Sequence, residues 1–386
     1  MSGNLELIQF IRARIASDGP VPFRWFMEQA LYHPQHGYYA SDKAAIGRDG
    51  DFFTSVSVGA LFGKLLATQF VEMWMHLGRP DPFTLVEQGA NTGDFAVDVL
   101  SAIQASAPNC FAALRYRIVE PQERLQNRQE SKLAAFPQVA WRRSLDELEP
   151  FTGVHFSNEL IDSMPVNRVR FSGGAWHEQY VNADFQWIDR PLSSSELARQ
   201  TAFLPILENY RTEINLESLA WIRAVASRLV RGYVLAMDYG YPRAVYYSPE
   251  RTEGTLATYA NHQRGDNPLE TIGMADLTAH VDFTSLAEQA EQRGLELAGY
   301  TDQHHFMVGM GSRVFADVAG PVNPARQKEM RAFQTLMHPN FMGLAFKAIG
   351  FSKGVEPVPL LGFALAPEPR IGLGLEAVNH NRIDKR

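Results

Sequence analysis

One cysteine, Cys110, stands among 386 residues, so an intrachain disulfide is excluded and a reducing, cytoplasmic setting is expected. Cys110 itself reads as a small buried side chain. No apolar run approaches the roughly 20 residues that a membrane-spanning helix needs. The first residues carry Glu6 and no signal-peptide apolar segment, so secretion is not expected. Acidic side chains outnumber basic ones 43 to 36, and no dense Lys/Arg stripe appears, so no nucleic-acid partner is expected. Metal-ligand spacing is also missing: His33 and His36 straddle a proline turn, and His304 and His305 are adjacent. Ser55-Val56-Ser57-Val58-Gly59 lacks the first glycine of a G-x-S-x-G nucleophile elbow. Internal repeats and low-complexity segments are absent. A hydrophobic share of 45% nevertheless supplies a substantial core, for one large domain with insertions or for two domains.

The most informative stretch present is Glu87-Gln88-Gly89-Ala90-Asn91-Thr92-Gly93-Asp94. It follows Phe83-Thr84-Leu85-Val86, which reads as a buried parallel strand, and precedes a helical run from Phe95 to Leu100. An acid followed by glycines at a strand-to-helix turn is how a doubly wound sheet receives a nucleoside cofactor. Read alone, the same pattern also fits an ordinary tight turn. The dinucleotide fingerprint G-x-G-x-x-G is not met, because Asn91 takes the place of its second glycine. Asn tolerates positive φ, so the turn survives. An acid with no phosphate-binding fingerprint suits S-adenosylmethionine, which has no pyrophosphate to cradle. The next strand, Leu114 to Val119, ends in Glu120-Pro121. Its carboxylate reads either as a solvated strand end or as the partner of ribose hydroxyls.

Strands and helices then alternate. Val139-Ala140-Trp141, Val154 to Ser157 and Gly232 to Met237 read as further strands, the last two ending in Asn158-Glu159 and Asp238-Tyr239-Gly240. This period predicts an α/β fold: a doubly wound, Rossmann-like sheet with helices on both faces. Helices are expected over Leu5 to Ile15, from Pro22 through Leu31, and over Leu61 to Leu77. Val169 to Trp187 reads as a hairpin, and Tyr241 to Met274 as a long polar insertion of the kind that walls a substrate site. The expected organisation is a helical lid over 1–60, a core over 61–350 with insertions near 169–215 and 241–275, and an extension over 351–386.

Two further groupings carry candidate chemistry. Asn158-Glu159-Leu160-Ile161-Asp162 sits at a strand tip, on the ligand edge of such a sheet. If a helix starts near Glu159, Glu159 and Asp162 share a face. They then either complement the helix dipole or, with Asn158, hold a cationic or hydrogen-bonding acceptor, and both can be true together. Asp51, Thr54 and Ser55 lie in a Gly/Asp/Ser/Thr loop that either caps a helix or closes over a cofactor.

In this order the segments resemble the MidA-type methyltransferase family. The matching pieces are Phe26-Met27 through Leu31-Tyr32, Gly37-Tyr38-Tyr39, Gly50-Asp51-Phe52, Thr54-Ser55 and Phe62-Gly63. Val86-Glu87, Gly89, Gly93 and Val119-Glu120 follow, then Asn158 to Asp162, Met164-Pro165-Val166, Asp238-Tyr239-Gly240, Gly254-Thr255-Leu256 and Ala275 to Phe283. The resemblance implies a class I methyltransferase using S-adenosylmethionine. The family's mitochondrial member acts on a protein arginine. The resemblance therefore implies transfer to a protein arginine, as on a respiratory-complex subunit, with a small molecule or another protein residue as acceptor, or a non-catalytic cofactor-binding assembly factor, as the alternatives. Glu87 is expected at the methionine amino end, Glu120 at the ribose, and Asn158, Glu159 and Asp162 at the acceptor. Two positions depart from the family pattern: Asn91 stands where a further glycine is usual, and Ser57 where a glutamate is usual.

Overall fold

A computed structural model describes residues 2–40, 55–260, 263–315 and 324–375. The central sheet is built from β1 (Phe83–Gln88), β2 (Leu114–Val119), β3 (Val139–Arg142), β4 (Phe151–Asn158), β5 (Leu229–Tyr241), β6 (Glu296–Asp302) and β7 (Phe346–Lys353). Its order is β3-β2-β1-β4-β5-β7-β6. The strands from β3 across to β5 are parallel, and β7 runs antiparallel to both its neighbours. Residue 350, expected as the end of the core, lies inside β7, and the β7 pairing continues to Lys353.

The inner strands bury residues on both faces. Along β5, Tyr233, Leu235 and Met237 join one apolar cluster while Val234 and Ala236 join another. The first cluster packs under α3 (Leu61–His76), α4 (Asp94–Ser106) and α8 (Gln303–Val314); the second packs under α6 (Leu216–Arg228) and α7 (Phe283–Glu291). A doubly wound sheet follows directly from this two-sided alternation.

The chain progresses from β1 to β2 and β3 on one side and returns to β4 and β5 on the other. The order therefore reverses between β1 and β4, and the crevice beyond their C-terminal ends is where such sheets bind ligands. Two insertions add smaller sheets, and of their strands only the second insertion's reach the cavity, through Asp276. The strands 167–172, 175–181, 187–190 and 211–214 form an antiparallel sheet that also pairs with Val21–Pro22. The hairpin within it turns at Gly173 and Gly174. Ala257–Ala260 pairs with Gln263–Gly265 and with Asp276–Thr278. The helices α1 (Leu5–Asp18) and α2 (Phe23–Tyr32) share a third apolar cluster with these insertions, including Val166, Val181, Leu269 and Leu277.

Beneath the crevice, His155 in β4 is fully buried, edge-on to Trp221 with ring centroids 5.6 Å apart, and neither ring nitrogen has a partner. Burial pushes its pKa down from 6.5 to about 3. The unfolded chain takes up this proton as pH falls below the ordinary histidine value, and the folded chain does not. Stability present at neutral pH is therefore lost as pH falls from about 6.5 towards 3, at about 1.4 kcal/mol per pH unit for one proton. His155→Leu is expected to remove this slope, so its advantage over the natural chain should grow by about 2 kcal/mol between pH 6.5 and 5. Urea unfolding at the two pH values measures it, and equal slopes would refute the assignment.

Candidate active site

The turn after β1 is held by left-handed residues. Gly89 and Gly93 have φ of 85°, and Asn91 has φ of 43°. Asn91 thus performs the turn that a glycine would allow, by the tolerance of its short polar side chain. Glu87, at the end of β1, is buried and accepts a 2.6 Å hydrogen bond from Tyr116 Oη. Burial pushes its pKa up to about 7, against the lowering effect of that bond.

Glu120 follows β2. Its Oε1 accepts from the Gln122 backbone N–H at 2.9 Å, and its Oε2 accepts from Gln129 Nε2 at 3.3 Å. Burial raises its pKa to about 7, with both bonds opposing. Gln129 lies on α5 (Glu123–Lys132) and is fully buried. Its Nε2 also donates to Asn91 O at 2.6 Å, and its Oε1 accepts from Trp141 Nε1 at 2.9 Å. One side chain therefore fastens the β1 turn, the β2 acid and β3 together.

The segment after β4 departs from the helical expectation. Glu159 has φ of 52°, and no helix begins there. The Glu159 N–H donates to Met237 O at 2.9 Å, while Asp238 Oδ2 accepts from the N–H groups of Ile161 and Asp162 at 2.8 and 3.3 Å. The tip of β5 bends this segment, so Glu159 and Asp162 face one space by a looped path. Glu159 Oε1 accepts from Asn158 Nδ2 at 2.9 Å, and the Ser55 N–H also bonds the Glu159 carboxylate. Burial and then the Asp162 charge push the Glu159 pKa up to about 8. Asp162 rises to about 6 through burial, opposed by a hydrogen bond from Tyr239. Asn158 Oδ1 and Asp162 Oδ1 are buried acceptors without partners.

These groups line one cavity of about 670 Å³, within the usual range for small-molecule sites. Its lining includes Glu87, Gly89, Asn91, Glu120, Asn158, Glu159 and Asp162, roofed by Tyr32, Tyr39 and Asp276. Among the described residues no lysine or arginine lines it. Asp94 and Glu217 at its edge are paired outward with Lys132 and Arg24.

A family model described as an S-adenosyl-L-methionine-dependent methyltransferase matches residues 65–301. The chain belongs to this family. A COG1565 superfamily member from Burkholderia thailandensis, solved with S-adenosyl-homocysteine bound, is 32% identical, with a TM-score of 0.85 over 95% of this chain and 97% of that one. The protein arginine methyltransferase NDUFAF7 homolog of Drosophila melanogaster, mitochondrial, is 29% identical over 94% of this chain and 90% of its own. The human protein arginine methyltransferase NDUFAF7, mitochondrial, is 27% identical over 88% and 82%. The sheet is thus the class I methyltransferase sheet, and the cofactor is S-adenosylmethionine.

The cavity fits that cofactor. Gly89 lines the cavity without a Cβ, whereas Gly93 does not line it and a Cβ there would meet Gln129 and Leu133; the acids around the turn would repel a pyrophosphate while favouring an ammonium or sulfonium. Of the cofactor candidates on the N-terminal loop, Asp51 and Thr54 lie outside the described residues. Ser55 is described but turned inward. Its Oγ donates to Gln303 Oε1 at 3.0 Å, and Gln303 Nε2 donates to Leu336 O at 2.9 Å. Val56 and Ser57, its neighbours, line the methyltransferase cavity instead. Tyr32, Tyr39 and Asp276 on the cavity wall, and Gln129 and Gln303 behind it, were not among the expected site residues, and only the Leu31-Tyr32, Gly37–Tyr39 and Ala275–Phe283 motifs pointed near any of them.

Gln129→Met keeps the side chain's length and removes its hydrogen bonds. It should cost about 1–3 kcal/mol of stability by stranding buried partners, and weaken S-adenosyl-homocysteine binding through the loosened Asn91 turn and Glu120. Thermal unfolding with and without that ligand measures both, and unchanged ligand affinity would confine Gln129 to a packing role.

Proposed function

We propose that this methyltransferase transfers its methyl group to an arginine of a protein. The observation that carries the reading is a cavity rich in hydrogen-bond acceptors and poor in base. Asn158 Oδ1 and Asp162 Oδ1 are buried without donors beside the Glu159 carboxylate. A guanidinium brings a planar fork of five N–H donors and a charge that it keeps at every physiological pH. It would satisfy these atoms together, where a neutral hydroxyl would satisfy one. The names of the relatives support the same substrate class. A protein acceptor in a reducing, cytoplasmic setting belongs to this proposal, and a respiratory-complex subunit is the first acceptor to try.

When bound, S-adenosylmethionine supplies an electrophilic methyl on sulfur together with its own leaving group. Glu87 would hold the methionine amino end, and Glu120 the ribose hydroxyls. Gly89 and Asn91 would let the backbone approach the nucleoside, and Gly93 would close the turn behind them. Asn158, Glu159 and Asp162 would accept from the guanidinium and fix one nitrogen in line with the methyl carbon. That nitrogen sheds one proton as its bond to carbon forms, and the Glu159 carboxylate is placed to take it. Burial already raises the affinity of that carboxylate for a proton.

The direct test is transfer of labelled methyl from S-adenosylmethionine into a cell lysate, read by mass spectrometry. Label on a guanidino nitrogen of a protein is expected; label confined to small molecules, or no label, would overturn the substrate assignment.

Glu159→Gln keeps the shape and removes the charge. Turnover should fall by about 100-fold or more, as for loss of an acid–base group, while cofactor affinity stays within a few-fold. The natural protein gains carboxylate as pH rises towards about 8, so its kcat/KM should climb over that range. The variant should lack this limb, and a shared pH profile would remove Glu159 from the reaction.

A further inference from the structure

The Ala275–Phe283 motif, singled out in the sequence, has no role in the reading above, and three tyrosines on the cavity wall have none either. Tyr32 and Tyr39 come from the end of α2 and the turn after it, Tyr239 from the tip of β5, and Asp276 from the second insertion. Each tyrosine hydroxyl is tethered to the wall that it faces. Tyr32 Oη donates to Ser163 Oγ at 2.9 Å and lies 3.0 Å from Ser163 O. Tyr39 Oη lies 3.0 and 3.1 Å from the two Asp276 oxygens. Tyr239 bonds Asp162. The Tyr32 and Tyr39 rings stack, with centroids 5.3 Å apart and planes inclined by 28°. Asp162 and Asp276 are each only 5% exposed, and Asp162 Oδ1 is buried in this wall without a partner. Both carboxylates act on the hydroxyls of Tyr32 and Tyr39, which places them around the same rings.

We propose that Tyr32, Tyr39 and Tyr239, with Asp162 and Asp276, form an acceptor-recognition subsite that selects a planar cation, arginine over lysine. This rests on the arginine reading above and adds how the side chain is chosen. The two carboxylates supply charge and hydrogen-bond acceptors to the same part of the cavity. Locked ring faces favour a flat, weakly hydrated guanidinium over a compact, strongly hydrated ammonium. The tethers hold the rings before substrate arrives, so little rotamer freedom is lost on binding. Asp276 touches the acceptor in this subsite. Tyr39 is a positioning residue that orients the Asp276 carboxylate.

The test uses the full chain loaded with S-adenosyl-homocysteine and titrated calorimetrically with three probes. These are the Nα-acetyl amides of arginine, of its neutral isostere citrulline, and of lysine. The natural protein should bind the arginine probe most tightly. Asp276→Asn should weaken that probe about tenfold or more, the usual loss for a hydrogen bond to a charged group, and narrow the arginine-to-citrulline ratio. Tyr39→Phe keeps the ring, removes one bond that orients the Asp276 carboxylate, and should narrow the ratio by about threefold. S-adenosyl-homocysteine affinity should hold in both variants. If the natural protein binds arginine no better than citrulline, the arginine reading falls and the subsite falls with it. If it prefers arginine and Asp276→Asn retains that preference, only the subsite assignment falls. Equal affinity for lysine and arginine would overturn the role of the tyrosine faces. Should Asp276→Asn lose S-adenosyl-homocysteine binding, Tyr39→Phe decides, and an unchanged ratio there overturns the proposal.

Discussion

The arrangement of the acceptor side depends on one buried carboxylate. Asp238 accepts the backbone N–H groups of Ile161 and Asp162 through Oδ2 and its neighbour's, Tyr239, through Oδ1. Backbone donors that helix or sheet would otherwise satisfy are satisfied from the tip of the adjacent parallel strand. This draws the chain after β4 sideways and leaves Glu159 in the left-handed region, a conformation that costs a non-glycine residue energy unless its surroundings enforce it. The bend is what lets Asn158, Glu159 and Asp162 meet one cavity. A helix starting at Glu159 would have aimed Leu160 and Ile161 elsewhere and opened the wall against Trp221.

The same economy of space creates an electrostatic problem. Burial holds Asp238, Asp162 and Glu159 above the ordinary carboxylate range, and the Asp162 charge pushes Glu159 and Asp238 further up. Glu87 and Glu120 are raised by burial at the other end of the cavity. Such groups destabilise a fold unless something positive approaches them. The apolar clusters on both sheet faces and under the N-terminal helices carry that cost in the ligand-free protein. A cofactor bearing a sulfonium and an ammonium, followed by a cationic acceptor, relieves it, so ligand binding and folding stability are linked here more strongly than contact area alone would give.

How much of this was legible in the sequence follows from the range of each interaction. The two-sided strands, the β1 turn and the placement of acids at the ends of β1 and β2 are local patterns, and the structure has them where the sequence puts them. Asn91 was read as turn-compatible and adopts positive φ. The helical reading at Glu159 failed because the deciding partner, Asp238, lies far along the chain, and local spacing of acids carries no trace of it. Ser55 was singled out for its hydroxyl, but Gln303 takes that hydroxyl from 248 residues away. Its backbone N–H reaches Glu159 instead, a contact that no side-chain pattern encodes. Gln129 sits on a polar helix whose sequence looks solvated, yet it is fully buried because the β1 turn folds over it.

The two halves of the cavity therefore differ in how they can change. The cofactor half is made by consecutive strand–turn–helix units, and altering Gly89, Asn91 or Gly93 disturbs the backbone that defines the fold. The acceptor half is assembled from the end of α2, the bend after β4, the tip of β5 and the second insertion, joined by hydroxyl-to-carboxylate and hydroxyl-to-serine bonds. Exposed or half-buried bonds of that type are individually worth about 1 kcal/mol, small against the stability of a domain. Replacing one reshapes the acceptor wall and leaves the sheet order and the β1 turn untouched. A protein built this way can keep its methyl donor fixed while its acceptor is set by a few side chains that lie far apart in the sequence.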